Sequence, residues 1–125
     1  MNKLPRLLVV DDEIDICNFV KSFFEMRGFK VSIALNGDEA MEKLAKDAPD
    51  VVIMDLKMRR EGEGLEYLPK IKAAQPSVRV LMVTATDDSD TIEKAKQLGA
   101  DDYITKPLML EYLENTVLEK VKHLK

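Results

Sequence analysis

Four apolar runs in this chain each lead into a residue able to do chemistry. Leu4 to Val10 stops at Asp11 and Asp12, Val51 to Met54 at Asp55, Val78 to Val83 at Thr84, and Tyr103-Ile104-Thr105 at Lys106. Taken singly, these residues have plain roles: Asp12 as a helix N-cap, Asp55 as a turn, Thr84 as a cap and Lys106 as solvated surface. Together they ask for more, because three carboxylates in one pocket repel strongly unless a cation neutralises them. Oxygen ligands without Cys or His suit a hard ion, and Mg²⁺ typically takes a few carboxylates while keeping waters and a phosphate in its octahedron. Beside such an ion, one carboxylate can attack a phosphoryl group as nucleophile. Asp55 fits that role best, since a strand apolar along its whole length would hold it rigidly; the adjacent Asp11 and Asp12 suit the metal. Lys106 brings a compact cation to the opposite side, and the Thr84 hydroxyl and the Ala85 backbone N–H can donate to phosphoryl oxygens.

The elements that must bring these residues together are legible in order. Strands are expected at Leu4 to Val10, Phe29 to Ala34, Val51 to Asp55, Val78 to Thr84 and Asp102 to Thr105. Between them lie helical patterns. Glu13 to Arg27 carries Ile16, Val20, Phe23 and Phe24 at helical spacing, with Phe19 and Met26 widening the stripe, Cys17 on the same face and Gly28 as the stop. Asn36 caps the second helix, with Glu39 three residues on and Ala40 and Leu44 facing inward. Leu65, Leu68 and Ile71 mark a third helix with Pro69 in its first two turns, and Asp87-Asp88-Ser89-Asp90 opens a fourth whose apolar face, Ile92, Ala95 and Leu98, is thin. Leu110, Leu113, Val117, Val121 and Leu124 define a strongly amphipathic last helix. Strict alternation of strand and helix predicts an α/β fold, a doubly wound five-stranded parallel sheet with five helices, because right-handed crossovers leave few other solutions. In such a sheet every strand points the same way, so Asp11, Asp12, Asp55, Thr84 and Lys106 share one edge.

Composition bounds the rest. At 125 residues the chain fits one domain, 1–125, and 46% hydrophobic against 34% charged residues is the make-up of a compact folded protein. The 19 Lys and Arg against 23 Asp and Glu, a formal net charge of -4 with mixed signs, offer no basic footprint, so direct nucleic-acid binding is not expected. Cys17 is the only cysteine and no run reaches membrane-spanning length, which argues for a cytoplasmic protein without membrane insertion. The one histidine, His123, stands third from the end and reads as a helix C-terminal cation.

The motifs Leu7-Leu8-Val9-Val10-Asp11-Asp12-Glu13, Val52-Ile53-Met54-Asp55, Val83-Thr84-Ala85 and Tyr103-Ile104-Thr105-Lys106-Pro107, in this order and at this spacing, resemble the receiver (phosphoacceptor) domains of two-component response regulators. The resemblance covers the whole chain and implies the CheY-like, flavodoxin-like receiver fold. It implies that Asp55 is phosphorylated, that Asp11, Asp12, Asp55 and the Lys57 backbone carbonyl bind Mg²⁺, and that Thr84 and Lys106 bind the phosphoryl group. It further implies a cis Lys106-Pro107 bond, a switch in which Thr84 and Tyr103 move together to remodel the face of the fourth helix, fifth strand and fifth helix, and tuning of phosphoryl lifetime by Lys57 and Thr86. The implied partners are a sensor histidine kinase or phosphotransfer protein upstream and a protein target or effector domain downstream; a phosphorylation-dependent homodimer stays open. So does the choice between a stand-alone receiver and the N-terminal piece of a longer regulator.

One loop departs from the family pattern. Met58 is in place, but Arg59 stands where receivers carry proline, and Gly64 follows Asp55 by one residue more than usual, in the loop that would supply the Lys57 carbonyl. Arg59 and Arg60 read as a solvated pair or as a dock for an acidic partner. The main alternative is a small hydrolase with an aspartyl-phosphate intermediate, which needs a general acid two residues after the nucleophile, where Lys57 stands. A flavin or nucleotide module would need a Gly-rich loop after the first strand, where the Asp pair would repel phosphate. The expected output is therefore regulatory binding, not enzymatic turnover.

Overall fold

The computed structural model describes residues 4–85 and 89–124. Among them five strands alternate with five helices: β1 (Arg6–Val10), α1 (Ile14–Glu25), β2 (Lys30–Ala34), α2 (Gly37–Asp47), β3 (Val51–Asp55), α3 (Glu63–Ala74), β4 (Arg79–Thr84), α4 (Ser89–Gln97), β5 (Asp102–Thr105) and α5. The last helix, α5, is α-helical over Leu110–Tyr112, π-helical over Leu113–Val117 and α-helical again over Leu118–Leu124. All strand pairs are parallel, in the order β2-β1-β3-β4-β5. The doubly wound sheet expected from the alternation is the one observed.

Side chains alternate across this sheet and build a core on each face. Leu7, Val9, Ile53, Leu81, Val83 and Ile104 pack against α1 and α5, and Leu8, Val10, Val52, Met54, Val80 and Met82 against α2, α3 and α4. β3 is buried on both faces along its whole length, so Asp55 leaves a rigid strand. Asn36 caps α2 by accepting from the Glu39 N–H at 2.9 Å; Glu39 returns a bond one residue earlier than expected, from the Leu35 N–H. α4 is as thin as its sequence suggests, with Ala95 its only buried residue among those described. None of the described helices is long and apolar enough to cross a membrane.

Three expectations about packing are corrected. Phe19 and Met26 do not widen the core stripe of α1; they are 41% and 83% exposed. Each stands two residues, about 200° of helix, from a buried neighbour, Cys17 or Phe24, and so faces away from the sheet. Leu110 is also exposed, because the fully buried row of α5 begins only at Leu113, with Tyr112 partly buried before it. There the π-helical segment sets Leu113, Val117 and Val121 in one fully buried row.

Candidate functional site

The register of the sheet puts the chemical residues side by side. Val10 pairs with Met54, Asp55 with Val83, and Thr84 with Thr105. One step further along each strand brings Asp11 beside Asp55, and Lys106 level with Ala85. Asp11, Asp55 and Thr84 are buried, whereas Asp12 is exposed at the rim. One ligand atom from each of Asp11, Asp12 and Asp55 lies within 4.8 Å of the others, so the set can hold one small cation. These are hard oxygen donors of the kind Mg²⁺ takes. The group therefore fits the ion the sequence asks for.

Lys106 closes the cluster from the far side. Its ammonium donates to Asp55 Oδ2 at 2.7 Å and lies 3.2 Å from Asp11 Oδ2, with Glu13 further out at 3.8 Å. Backbone N–H groups hold the remaining carboxylate oxygens: Lys57 donates to Asp55 Oδ1 at 3.2 Å and Glu13 to Asp11 Oδ1 at 3.0 Å. Burial raises the Asp11 carboxyl to about 6, the neighbouring Asp55 charge adds to the rise, and the Glu13 N–H and Lys106 limit it. Burial pulls Lys106 down, but the two carboxylates outweigh it and leave the ammonium above its ordinary value. The Thr84 hydroxyl donates to the Ala85 carbonyl at 3.1 Å, within reach of the same space. Asp12, Asp55, Lys57, Thr84, Ala85 and Lys106 all line one cavity of about 510 Å³, which is large enough to admit a phosphoryl group. The Lys106-Pro107 bond is cis.

The other predicted residues fall as follows. Lys57 points its side chain outward, 69% exposed and paired with Glu61. Thr86, and Asp87 and Asp88 of the expected cap, lie outside the described residues. Tyr103 is half-buried on β5, its ring 5.5 Å from the ammonium groups of both Lys96 and Lys120. Arg59 and Arg60 are both exposed, as a solvated pair would be, and each is also paired within the chain: Arg59 with Glu63 and Asp38, and Arg60 with Glu66. Glu63 itself went unnoticed in the sequence. Its spacing of four from Arg59 was the available signal, but nothing local foretells that its side chain is completely buried.

Gly64 carries the turn into α3. Its N–H donates to the Leu56 carbonyl at 3.0 Å, and a Cβ there would stand 2.6 Å from Leu56 Cα, so only glycine lets the helix start press against the end of β3. The glycine thus keeps its close approach although it comes one residue late. In the exposed turn 60–62 before it, Gly62 adopts φ 81 as the N-cap of α3.

A doubly wound parallel sheet of this order is an α/β receiver fold, with its polar residues gathered at the carboxyl ends of the strands. The family model for the response regulator receiver domain matches residues 7–118, and the chain belongs to that family. It is 38% identical over 117 residues to the transcriptional regulatory protein ZraR of Klebsiella oxytoca, a match covering 94% of this chain and 26% of that one. Sporulation initiation phosphotransferase F of Bacillus subtilis is 30% identical over 112 residues, 90% of each chain. The crystal structure of a CheY-like receiver domain protein from Methanospirillum hungatei matches with a TM-score of 0.85 at 30% identity, over 98% of this chain and 97% of that one. The chain spans about a quarter of the length of the ZraR relatives.

Proposed function

We propose that this chain is the phosphoacceptor switch of a two-component system, taking a phosphoryl group onto Asp55 from a sensor histidine kinase or a phosphotransfer protein in the cytoplasm. The observation that carries the reading is the Lys106 ammonium shared between Asp55 and Asp11, 2.7 and 3.2 Å away, on a cavity rim that also presents Asp12, Thr84 and Ala85. In the transfer an Asp55 carboxylate oxygen bonds to phosphorus as the bond to the donor breaks, and charge spreads over the three equatorial oxygens. Lys106 is placed to meet that charge, and the Thr84 hydroxyl can turn from the Ala85 carbonyl to donate to one oxygen, with the Ala85 N–H on another. Asp11, Asp12, Asp55 and the Lys57 carbonyl would hold Mg²⁺, which when bound neutralises the carboxylates and draws charge from the phosphoryl oxygens.

The output is a change of binding surface. α4 has little core to anchor it, which supports its use as an element that shifts. Thr84 sits at the end of β4 and Tyr103 on the adjacent β5, so a displaced threonine side chain vacates room toward the aromatic ring. The face of α4, β5 and α5 would then meet a downstream protein or effector domain. Intact mass after incubation with a small-molecule phosphodonor tests this, with and without Mg²⁺, on wild type and Asp55→Asn. One added phosphoryl group that needs both the metal and Asp55 is expected; an adduct that persists in Asp55→Asn overturns the assignment.

A further inference from the structure

The loop after Asp55 differs from the family pattern at Arg59 and in length, and it is also where the chain buries an entire carboxylate. Glu63 has no exposed side-chain surface, and its two oxygens receive donors from three directions. The Arg59 backbone N–H reaches Oε1 at 3.0 Å, the Arg59 guanidinium reaches Oε1 and Oε2 at 2.7 to 3.2 Å, and the Gly37 N–H at the start of α2 reaches Oε2 at 2.8 Å. The same guanidinium extends to Asp38, 3.5 Å away, which also accepts from the Tyr67 hydroxyl. A forked, charge-assisted contact of this kind fixes geometry as well as charge.

Its place in the chain gives that rigidity a use. Leu56 is tied on one side by its N–H to Val83 and its carbonyl to Gly64, Met58 is buried, and Arg59 is clamped on the other side by Glu63. The Lys57 peptide is therefore held from both ends, and the exposed turn 60–62 is spanned by the clamp.

We propose that Arg59 and Glu63 form a latch that positions the Lys57 carbonyl for the metal, through an ion pair whose carboxylate is completely buried. Both are positioning residues, and the inference rests on the phosphoacceptor reading. The latch also ties the metal loop to the start of α2.

Electrostatics makes the test decisive. Removing a cation near a cation site should by itself tighten Mg²⁺ binding or leave it alone; losing a positioning contact weakens it, typically about tenfold or more. Calorimetric Mg²⁺ titration of the unphosphorylated chain is compared for wild type, Arg59→Ala, Arg59→Lys and Arg60→Ala, with thermal melts in EDTA to verify folding. Arg59→Lys keeps the charge over Glu63 but lacks the fork, so it serves if Arg59→Ala does not fold. The latch predicts affinity about tenfold weaker in Arg59→Ala and several-fold weaker in Arg59→Lys, with Arg60→Ala unchanged or tighter. Wild-type affinity in a folded Arg59→Lys overturns the latch and leaves the phosphoacceptor reading standing. No Mg²⁺ binding by wild type would overturn both.

Discussion

Asp11 is raised to about 6 from an ordinary 3.8, so the folded chain binds a proton there more readily than the unfolded chain does. By linkage its charge costs stability above about pH 6, and the cost fades as pH falls toward the unfolded value. The full difference corresponds to about 3 kcal/mol. Asp11→Asn removes the charge while its amide oxygen can still accept from the Glu13 N–H. The attraction of Lys106, which keeps Asp55 at 2.7 Å, is already contained in the Asp11 value, and solvent reaching the open cavity screens part of the full difference. The net expectation is a variant more stable than wild type by about 1–2 kcal/mol at about pH 7.5 in EDTA, a rise in Tm of roughly 3–8 °C. At about pH 5, between the unfolded and folded values, roughly half of the advantage should remain, and it should approach zero only below about pH 4. Urea denaturation at the two pH values, followed by circular dichroism, measures both numbers. Adding Mg²⁺ should then stabilise wild type and not the variant, as a ligand that binds only the folded site requires. A variant less stable than wild type at the higher pH, or an advantage of equal size at both, would refute the claim that the site is held in electrostatic tension for a cation.

Three further outcomes follow from the same geometry. Lys57→Ala should change the lifetime of phosphorylated Asp55, read by intact mass over time, while moving stability by less than about 0.5 kcal/mol, because its only ion pair among the described residues is with the exposed Glu61. Gly64→Ala should cost about 2–3 kcal/mol in urea denaturation, since the added methyl meets the backbone of Asp55 and Leu56 and cannot be relieved by a side-chain rotation. Ala48 ends α2 at φ 45, so Ala48→Gly should raise the urea midpoint by the equivalent of about 0.5–1 kcal/mol despite the greater freedom of glycine in the unfolded chain.

The residues of the pocket were legible because each stands where an apolar run meets a polar residue. A strand buried on both faces needs an uninterrupted run such as Val51 to Met54, and a parallel sheet sends every such run in the same direction, so the residues that end the runs must share an edge. That argument needs only pattern and chirality, and it finds Asp11, Asp55, Thr84 and Lys106 without coordinates. The helix caps and stops at Asn36 and Gly28 are equally local, as is the thin face of α4.

What the sequence left undecided depends on contacts between distant segments. Phe19 and Met26 are as apolar as Phe23 and Phe24, and only the angle at which α1 lies on the sheet separates the exposed pair from the buried one. Arg59 and Glu63 look like any exposed pair four apart in a charged loop. Glu63 is buried because the loop folds over the start of α2, where the Gly37 N–H and the Arg59 guanidinium supply the donors that a carboxylate out of water requires. The chain alone thus determined which residues could do chemistry and on which edge they would gather. The tertiary structure decided how the loop beside them is held, since the desolvation that makes an ion pair rigid exists only once separate elements have closed over it.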